Sequence, residues 1–508
     1  MVPTLSPEPA WPQLANDDPR VVRGRRLAWL LLLGFGLVTW FGVPHGIGSS
    51  WRECDTQAIA RNFLLDGFDP LRPRVDWRGD TDGAVECEFP LYQMAIAVVL
   101  KGIGDIDAEW PGRLIALLSL LLAGFGMHRL FEWRNGPEQA LAGLIAFTGT
   151  GAAWMLATRV IPDATSLSLS VPCLLLFRRY LQRGATLLLI AATLMVALAG
   201  LQKPLALQAG LVMFGWTVVA APRRLREIRW WLAMLTVPAV VAAWLVHGAH
   251  LHAETGLSFG VVSGGDTKFP GLFQIVDPAI LWSLVQTTAT FGISVVAMAA
   301  LGATVWLRRL DRSDAVLLVA TLLGLLVSLR YSHTRDLGPQ YHAFAAFTGA
   351  WLVARAWPAK ASRGLWLGLL AAVALLAALR ARDERGVRIV VNKLPIVEVA
   401  HAARPHIGPN DRIVARSVKV RRDAAWTRNQ NCEDPRFFYL ARAHGWVIAK
   451  EEFTVDRLTQ LHGAGARFVY DPLPKENAPE VTAWLAAHGE RIAEKDEGGV
   501  VYRLRNRN

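Results

Sequence analysis

Four stretches of this sequence gather the residue types that chemistry at an anionic substrate needs. The first runs from Ser50 to Phe63 and contains Arg52, Glu53, Asp55 and Arg61. On a helix, Arg52 and Asp55 are three residues apart, and Asp55, Ile59 and Asn62 fall along one side. A carboxylate flanked by two guanidinium groups suits a general base beside an anion site. The same spacing also describes a solvated amphipathic helix with a local Arg–Asp pair. In the second stretch, Val85 to Tyr92, an extended chain would point Glu86 and Glu88 to the same side. Together they suit a cation or sugar hydroxyls, or they mark the rim of a soluble loop. The third comprises Arg159 with Asp163, and Lys203 between Gln202 and Pro204, each at the end of an apolar run. Phosphate binding and headgroup snorkelling are equal readings there. The fourth, Tyr331 to His342, is dense in hydrogen-bonding groups, among them Arg335, Tyr341 and His342. His333 and His342 lack the i, i+4 spacing of a helical metal pair, so the metal is left unassigned, with a divalent cation at the outer carboxylates as the open option.

The elements that must position these residues are membrane spans. Of 508 residues, 53% are hydrophobic and 19% charged. Uncharged runs such as Leu27 to Val43, Ile115 to Met127 and Ala315 to Leu329 recur over the first three quarters of the chain. This patterning excludes a single soluble domain, a coiled coil, a collagen and a disordered chain. A bilayer core of about 30 Å takes about 20 helical residues, which predicts about eleven spans. They fall near 27–46, 112–131, 137–156, 162–181, 185–201, 204–221, 230–249, 287–307, 314–330, 341–357 and 363–381. Arg20, Arg23, Arg25 and Arg26 hold the N-terminus inside, and no small-residue cleavage site follows the first run as a signal peptide would require. The inside connections then carry Arg129 and Arg134; Arg178, Arg179 and Arg183; Arg223, Arg224, Arg226 and Arg229; Arg308, Arg309 and Arg312; and Arg355, Lys360 and Arg363. Much of the net charge of +12 sits in these connections, which explains it by topology rather than by nucleic acid.

The first outer loop, 47–111, is acidic, and its apolar segment Leu91 to Ile103 is short enough to lie flat on the membrane surface. From about Asp383 charges become frequent. Strand-like runs at Arg412, Arg467 and Val500 alternate with helical stretches at Pro435–His444, Val455–His462 and Glu480–His488, which reads as a small α/β domain. The predicted organisation is a basic cytoplasmic leader (1–26), a transmembrane domain (27–382) and an outer α/β domain (383–508).

Taken in order, these residues resemble a known family. Arg52-x-x-Asp55-Thr56-x-x-Ile59-Ala60-Arg61-Asn62-Phe63, then Pro73-Arg-Val-Asp-Trp77, then Glu86-x-Glu88-Phe-Pro-Leu-Tyr-Gln93, then Gly112-Arg113-Leu114 opening the next span, look like the polyprenyl-phosphate-sugar glycosyltransferases of the GT-C class. The likeness is nearest to the protein mannosyltransferase and aminoarabinose transferase group. It covers most of 27–381 and is most specific over 50–115. It implies an α-helical polytopic membrane protein whose first outer loop holds two surface helices, with a catalytic acid on the first. Asp55 matches that acid. Many members show adjacent Asp-Glu where this chain has Glu53-Cys54-Asp55, so Glu53 is the alternative base. Glu88 stands where aminoarabinose transferases place a lysine that contacts the donor phosphate, which leaves Lys203 or Arg159 to supply that charge.

The resemblance implies an inverting glycosyltransferase on the outer face of a bacterial inner membrane. Its donor would be a polyprenyl-phosphate-linked sugar and its acceptor a hydroxyl on a lipid, glycan or protein. Asp55 or Glu53 would act as base, and Arg52, Arg61, Arg159, Lys203 and Arg335 as candidate phosphate ligands. Glu86, Glu88, Asp163, Tyr341 and His342 would be candidate acceptor or sugar contacts, with no cofactor assigned beyond the optional divalent cation. The alternatives from other classes are a transporter or flippase for lipid-linked sugars and a non-catalytic envelope assembly protein. A transporter would place ionisable residues within the spans, where this chain has almost none. Cys54 and Cys87 share the outer loop, where an oxidising compartment permits a bridge, with reduced packing thiols as the alternative.

Overall fold

The computed structural model describes residues 17–46, 51–262, 277–292, 294–306, 310–332, 339–417 and 435–505. His333, Arg335 and Cys432 lie outside the described residues. The first helix, Pro19–Gly42, starts before the apolar run because Asp18 caps it, its carboxylate accepting from the Arg20 amide at 2.8 Å, with Pro19 in the first turn.

Among the described residues each expected span falls mostly on helix, with 287–307 divided between Pro278–Gly292 and Ser294–Trp306. Among the described residues, Trp110–Asn135, Ile228–Thr255 and Arg363–Asn392 are long and apolar enough to cross a membrane, and the number rises to five if each of two bent pairs counts as one span. One bent pair is Pro137–Thr148 with Gly151–Thr158, which turn by 67°. Thr150 lies at this break and caps the second segment, accepting from the Ala153 amide at 3.2 Å. The other expected spans are helical at Asp163–Arg183, Thr186–Gln202, Leu207–Ala220, Arg312–Ser332 and Ala343–Ala356. The last span overshoots its expected end at 381. Arg380, Asp383 and Glu384 continue the helix as far as Asn392, because a charged helix needs no apolar periodicity once it has left the hydrocarbon.

Two compact units emerge. One comprises Met1–Val43, Arg113–Ala243 and Lys268–Arg385. Its helices approach closely where small residues face each other: a side chain at Gly143 would meet the Ala350 carbonyl at 2.6 Å. Arg113, from the Gly-Arg-Leu motif, donates to the Val43 carbonyl at 3.0 Å and to the Thr39 carbonyl, closing the C-terminal end of the first helix.

The other unit comprises Pro44–Gly112, Trp244–Thr267 and Gly386–Asn508. The segment Pro44–Gly112 thus groups with the C-terminal segment, although more than 270 residues separate them along the chain. The C-terminal segment folds into a five-stranded sheet, β1 (Arg412–Arg416), β2 (His444–Ile448), β3 (Ala466–Asp471), β4 (Gly489–Lys495) and β5 (Gly499–Leu504), in the order β2-β1-β3-β5-β4. β2, β1 and β3 run parallel, and β3, β5 and β4 antiparallel. Val414, Trp446, Leu458, Val469, Leu485 and Val501 are buried in this domain. β2 starts at His444, where the predicted helix ends. That helix stops at Ala441 because Arg442 adopts a left-handed conformation, φ 55°. The edge of β2 is covered by the outer loop: the Gly79 amide donates to the Gly445 carbonyl at 2.8 Å, and the Gly445 amide to the Asp76 carbonyl at 3.2 Å.

Candidate active site

The loop helix Trp51–Leu65 carries the first group of candidates. Residues 53–63 are buried without interruption, so the solvated amphipathic reading does not hold. A helix that buries six polar side chains must pair them. Asp55, 1% exposed, accepts from the indole N–H of Trp77 at 2.9 Å. Glu53 forms a buried ion pair with Arg388 at 2.7 Å, and Arg388 also donates to the Gly46 carbonyl. Arg61 donates to Asp76 at 2.6 Å and to the Tyr439 carbonyl at 3.1 Å, its guanidinium lying 5.0 Å from the Tyr439 ring. Asn62 bonds the other Asp76 oxygen and the Arg74 carbonyl, both at 2.9 Å. One helix face therefore clamps the 73–77 segment, and that clamp is what presents Trp77 to Asp55. Arg61, expected at a phosphate, spends its charge on this clamp.

Arg52 pairs with Glu88, and its guanidinium lies 5.6 Å from the Trp51 ring and 5.0 Å from that of Phe259. Glu86 does not share this environment, contrary to the expectation that the two glutamates act together. It is buried, accepting from the Ser258 hydroxyl at 2.7 Å and the Val262 amide at 2.6 Å. Its role is to hold the 257–262 segment, which also runs beside it in a parallel bridge. Gly248 packs so closely on it that a side chain there would meet the Glu86 Cγ at 3.1 Å. Cys54 and Cys87 are buried thiols rather than a bridge, and burial pushes the Cys87 thiol well above its usual range.

The remaining candidates belong to the membrane unit. Arg159 is held by Glu384, donating from two nitrogens at 3.2 and 3.3 Å, and Thr158 donates to the same carboxylate at 3.3 Å. Lys203 follows the last residue of the helix Thr186–Gln202. Its ammonium stands 3.8 Å from Asp163, a separation longer than a hydrogen bond, and 5.9 Å from the Tyr341 ring. Lys203, Asp163, Ser166, Ser170 and Tyr341 line one cavity. His342, adjacent to Tyr341, does not line it. It is fully buried, its Nδ1 3.5 Å from the Thr288 hydroxyl and its ring stacked on Phe291. Among the described residues no group of three or more His, Cys, Asp or Glu side chains is arranged to hold a metal ion.

Each described cation proposed as a phosphate ligand thus stands by a carboxylate: Arg52 by Glu88, Arg61 by Asp76, Arg159 by Glu384 and Lys203 by Asp163. Sequence reasoning assigned no role to Trp77, Glu384 or Arg388. Trp77 lay within a noted motif, but an indole among prolines and arginines gives no sign of its partner. Glu384 and Arg388 lay just past the last apolar run, where charged residues read as solvated.

No protein-family model matches the chain, and neither does any curated protein. Solved structures do. ArnT from Cupriavidus metallidurans in the apo state superposes with a TM-score of 0.63 at 15% identity, covering 94% of this chain and 98% of that one. The same protein bound to undecaprenyl phosphate gives 0.60 at 14% identity, with 93% and 97% covered. The archaeal oligosaccharyltransferase AglB from Archaeoglobus fulgidus, in complex with an inhibitory peptide and a dolichol-phosphate, gives 0.57 at 10% identity, with 95% of this chain and 74% of that one covered. These are GT-C glycosyltransferases, and an overlap that runs through nearly the whole chain at such low identity means that the arrangement of helices, not a local motif, is what is shared. This chain has the GT-C glycosyltransferase fold.

Proposed function

We propose that this protein is an inverting glycosyltransferase that moves a sugar from a polyprenyl-phosphate donor to a hydroxyl acceptor at the outer face of a bacterial inner membrane. The observation that carries the reading is Asp55, a carboxylate buried on a loop helix and oriented by the Trp77 N–H. Burying a carboxylate is costly, and a site built to present it explains the burial. The fold supports the donor class, since its relatives were solved with undecaprenyl phosphate and with a dolichol-phosphate.

In this reaction Asp55 accepts the acceptor hydroxyl proton as that oxygen bonds to the anomeric carbon. The bond from that carbon to the phosphate oxygen breaks, and the polyprenyl phosphate leaves with the electron pair. Lys203, which lines a cavity together with Asp163 and Tyr341, is the favoured phosphate ligand of the membrane unit. Arg52, held by Glu88, is the corresponding cation of the loop unit. Glu53, ion-paired to Arg388, serves the architecture of the helix, which favours Asp55 over it as base.

The test is transfer by purified Asp55→Asn, a variant that keeps the shape of the carboxylate and cannot take the proton. Loss of product with normal membrane insertion is expected. Turnover near that of the unaltered protein would overturn Asp55 as the base and leave Glu53, whereas no transfer by the unaltered protein would return the chain to the flippase or envelope-assembly alternatives.

A further inference from the structure

We infer that the membrane unit carries a binding site for the headgroup of an anionic phospholipid, built where the turn at 183–186 meets the turn at 221–229. Together the stretches 178–186 and 221–229 hold seven arginines and one acidic residue, Glu227. The two turns are fastened to each other. The Tyr180 hydroxyl donates to Glu227 at 3.1 Å, Arg229 donates to the Thr186 hydroxyl at 2.6 Å, and the Arg224 guanidinium lies 5.4 Å from the Tyr180 ring. Gly184, at φ 70°, ends its helix directly against Arg224, and a side chain there would meet that guanidinium at 2.6 Å.

This joint consumes Glu227. Arg224 donates to one of its oxygens at 2.6 Å and Arg229 to the other at 2.7 Å. Arg183, Arg223 and Arg226 are left exposed, and among the described residues no carboxylate stands within ion-pair reach of them. Membrane topology depends only on how many such residues a connection holds; the joint adds a fixed geometry, and three unneutralised guanidinium groups gathered about it attract an anion. The neighbouring surface says which anion. Beyond the arginines both helices turn an apolar face outward: Leu187 and Ile190 on Thr186–Gln202 are exposed, as are Ile228, Trp231 and Leu232 on Ile228–Thr255. Spacings of three and four residues put each set on one side of its helix. The Trp231 indole donates back to the Leu225 carbonyl at 2.8 Å, which sets an amphipathic ring between the charged turn and the apolar face. Cationic groups with apolar surface directly beside them fit a phospholipid, its phosphate at the arginines and its acyl chains along the exposed leucines and isoleucines. A free phosphate would leave those faces unused.

The inference rests on the membrane unit alone and holds whether or not the chain transfers sugar. It is tested by native mass spectrometry of the detergent-solubilised full chain, titrated with dioleoylphosphatidylglycerol or with dioleoylphosphatidylcholine. The anionic lipid is expected to stay bound at concentrations where the zwitterionic one does not. Arg223→Gln combined with Arg226→Gln should weaken that binding by about tenfold or more, since each basic side chain at an anionic headgroup contributes about fivefold. Changing the same two residues to Lys should preserve it. Lys360→Gln combined with Arg363→Gln, an exposed basic pair on another connection, should leave it unaltered. Arg183→Gln repeats the measurement from the facing turn should the double variant fold poorly. Equal binding of the two lipids overturns the inference, as do equal losses from the two basic pairs, which would reduce the arginines to a diffuse positive field. Displacement of the lipid by an equal concentration of inorganic phosphate overturns it as well, by making the site one for a free anion.

Discussion

Two carboxylates separated by a single residue on one helix do different work. Asp55 accepts from an indole and Glu53 from a guanidinium, and that difference can be measured. Trp77→Phe keeps the ring and removes the N–H that orients the proposed base. The expected result is a fall in kcat of about tenfold, corresponding to about 1–1.5 kcal/mol for one hydrogen bond, with donor KM unchanged. An unchanged kcat would leave Trp77 as packing alone. Glu53→Ala instead removes the carboxylate from a buried pair and leaves the Arg388 charge in the interior, a loss of about 3–5 kcal/mol. It should lower the melting temperature of the detergent-solubilised protein while turnover per folded molecule persists. If that variant melts normally but is inactive, Glu53 is the base. Lys203→Ala should raise donor KM by about tenfold or more, as expected for a charge-assisted contact. Unchanged donor kinetics would return the lysine to headgroup snorkelling.

The 73–83 segment links the loop helix to the sheet through charge. Burial raises the carboxyl of Asp80, but hydrogen bonds from Trp446 and Arg412 outweigh it and hold the group below its usual range. Burial likewise raises Asp82, and the Ala84 amide and Arg72 overcome it. The Arg72 hydrogen bond lowers Glu254. Carboxyls depressed in the folded state bind protons less readily than in the unfolded chain. Their stabilisation is therefore complete above the usual values of 3.8 for the aspartates and 4.5 for Glu254, and is lost as pH falls through the lower folded values. Each pair is solvent-screened and contributes only modestly. The melting temperature should fall as the pH drops below those values, and Asp80→Asn should flatten part of that slope. Identical slopes in both proteins would mean that these pairs do not hold the segment.

Across the whole chain, the proposed eleven-span topology places the basic connection at 222–229 and the C-terminal domain on opposite faces. Cysteines introduced at Arg226 and Glu480 should react with a membrane-impermeant maleimide from opposite sides of right-side-out and inverted vesicles, and labelling from the same side would refute the odd number of spans. The positions of the helices were legible along the chain, because a bilayer span must satisfy its own backbone hydrogen bonds and so writes itself as a continuous apolar run. The strands at Arg412, Arg467 and Val500 were legible for a similarly local reason, their β-branched runs. The partners were not. Glu53 with Arg388, Asp55 with Trp77 and the outer loop with β2 join residues from 22 to more than 300 positions apart. Nothing in the local pattern of charge and hydropathy encodes which guanidinium will neutralise which carboxylate. That choice follows from chain path and burial: once a charged group is enclosed it must find a counter-charge within hydrogen-bond reach, and only the folded chain brings one there.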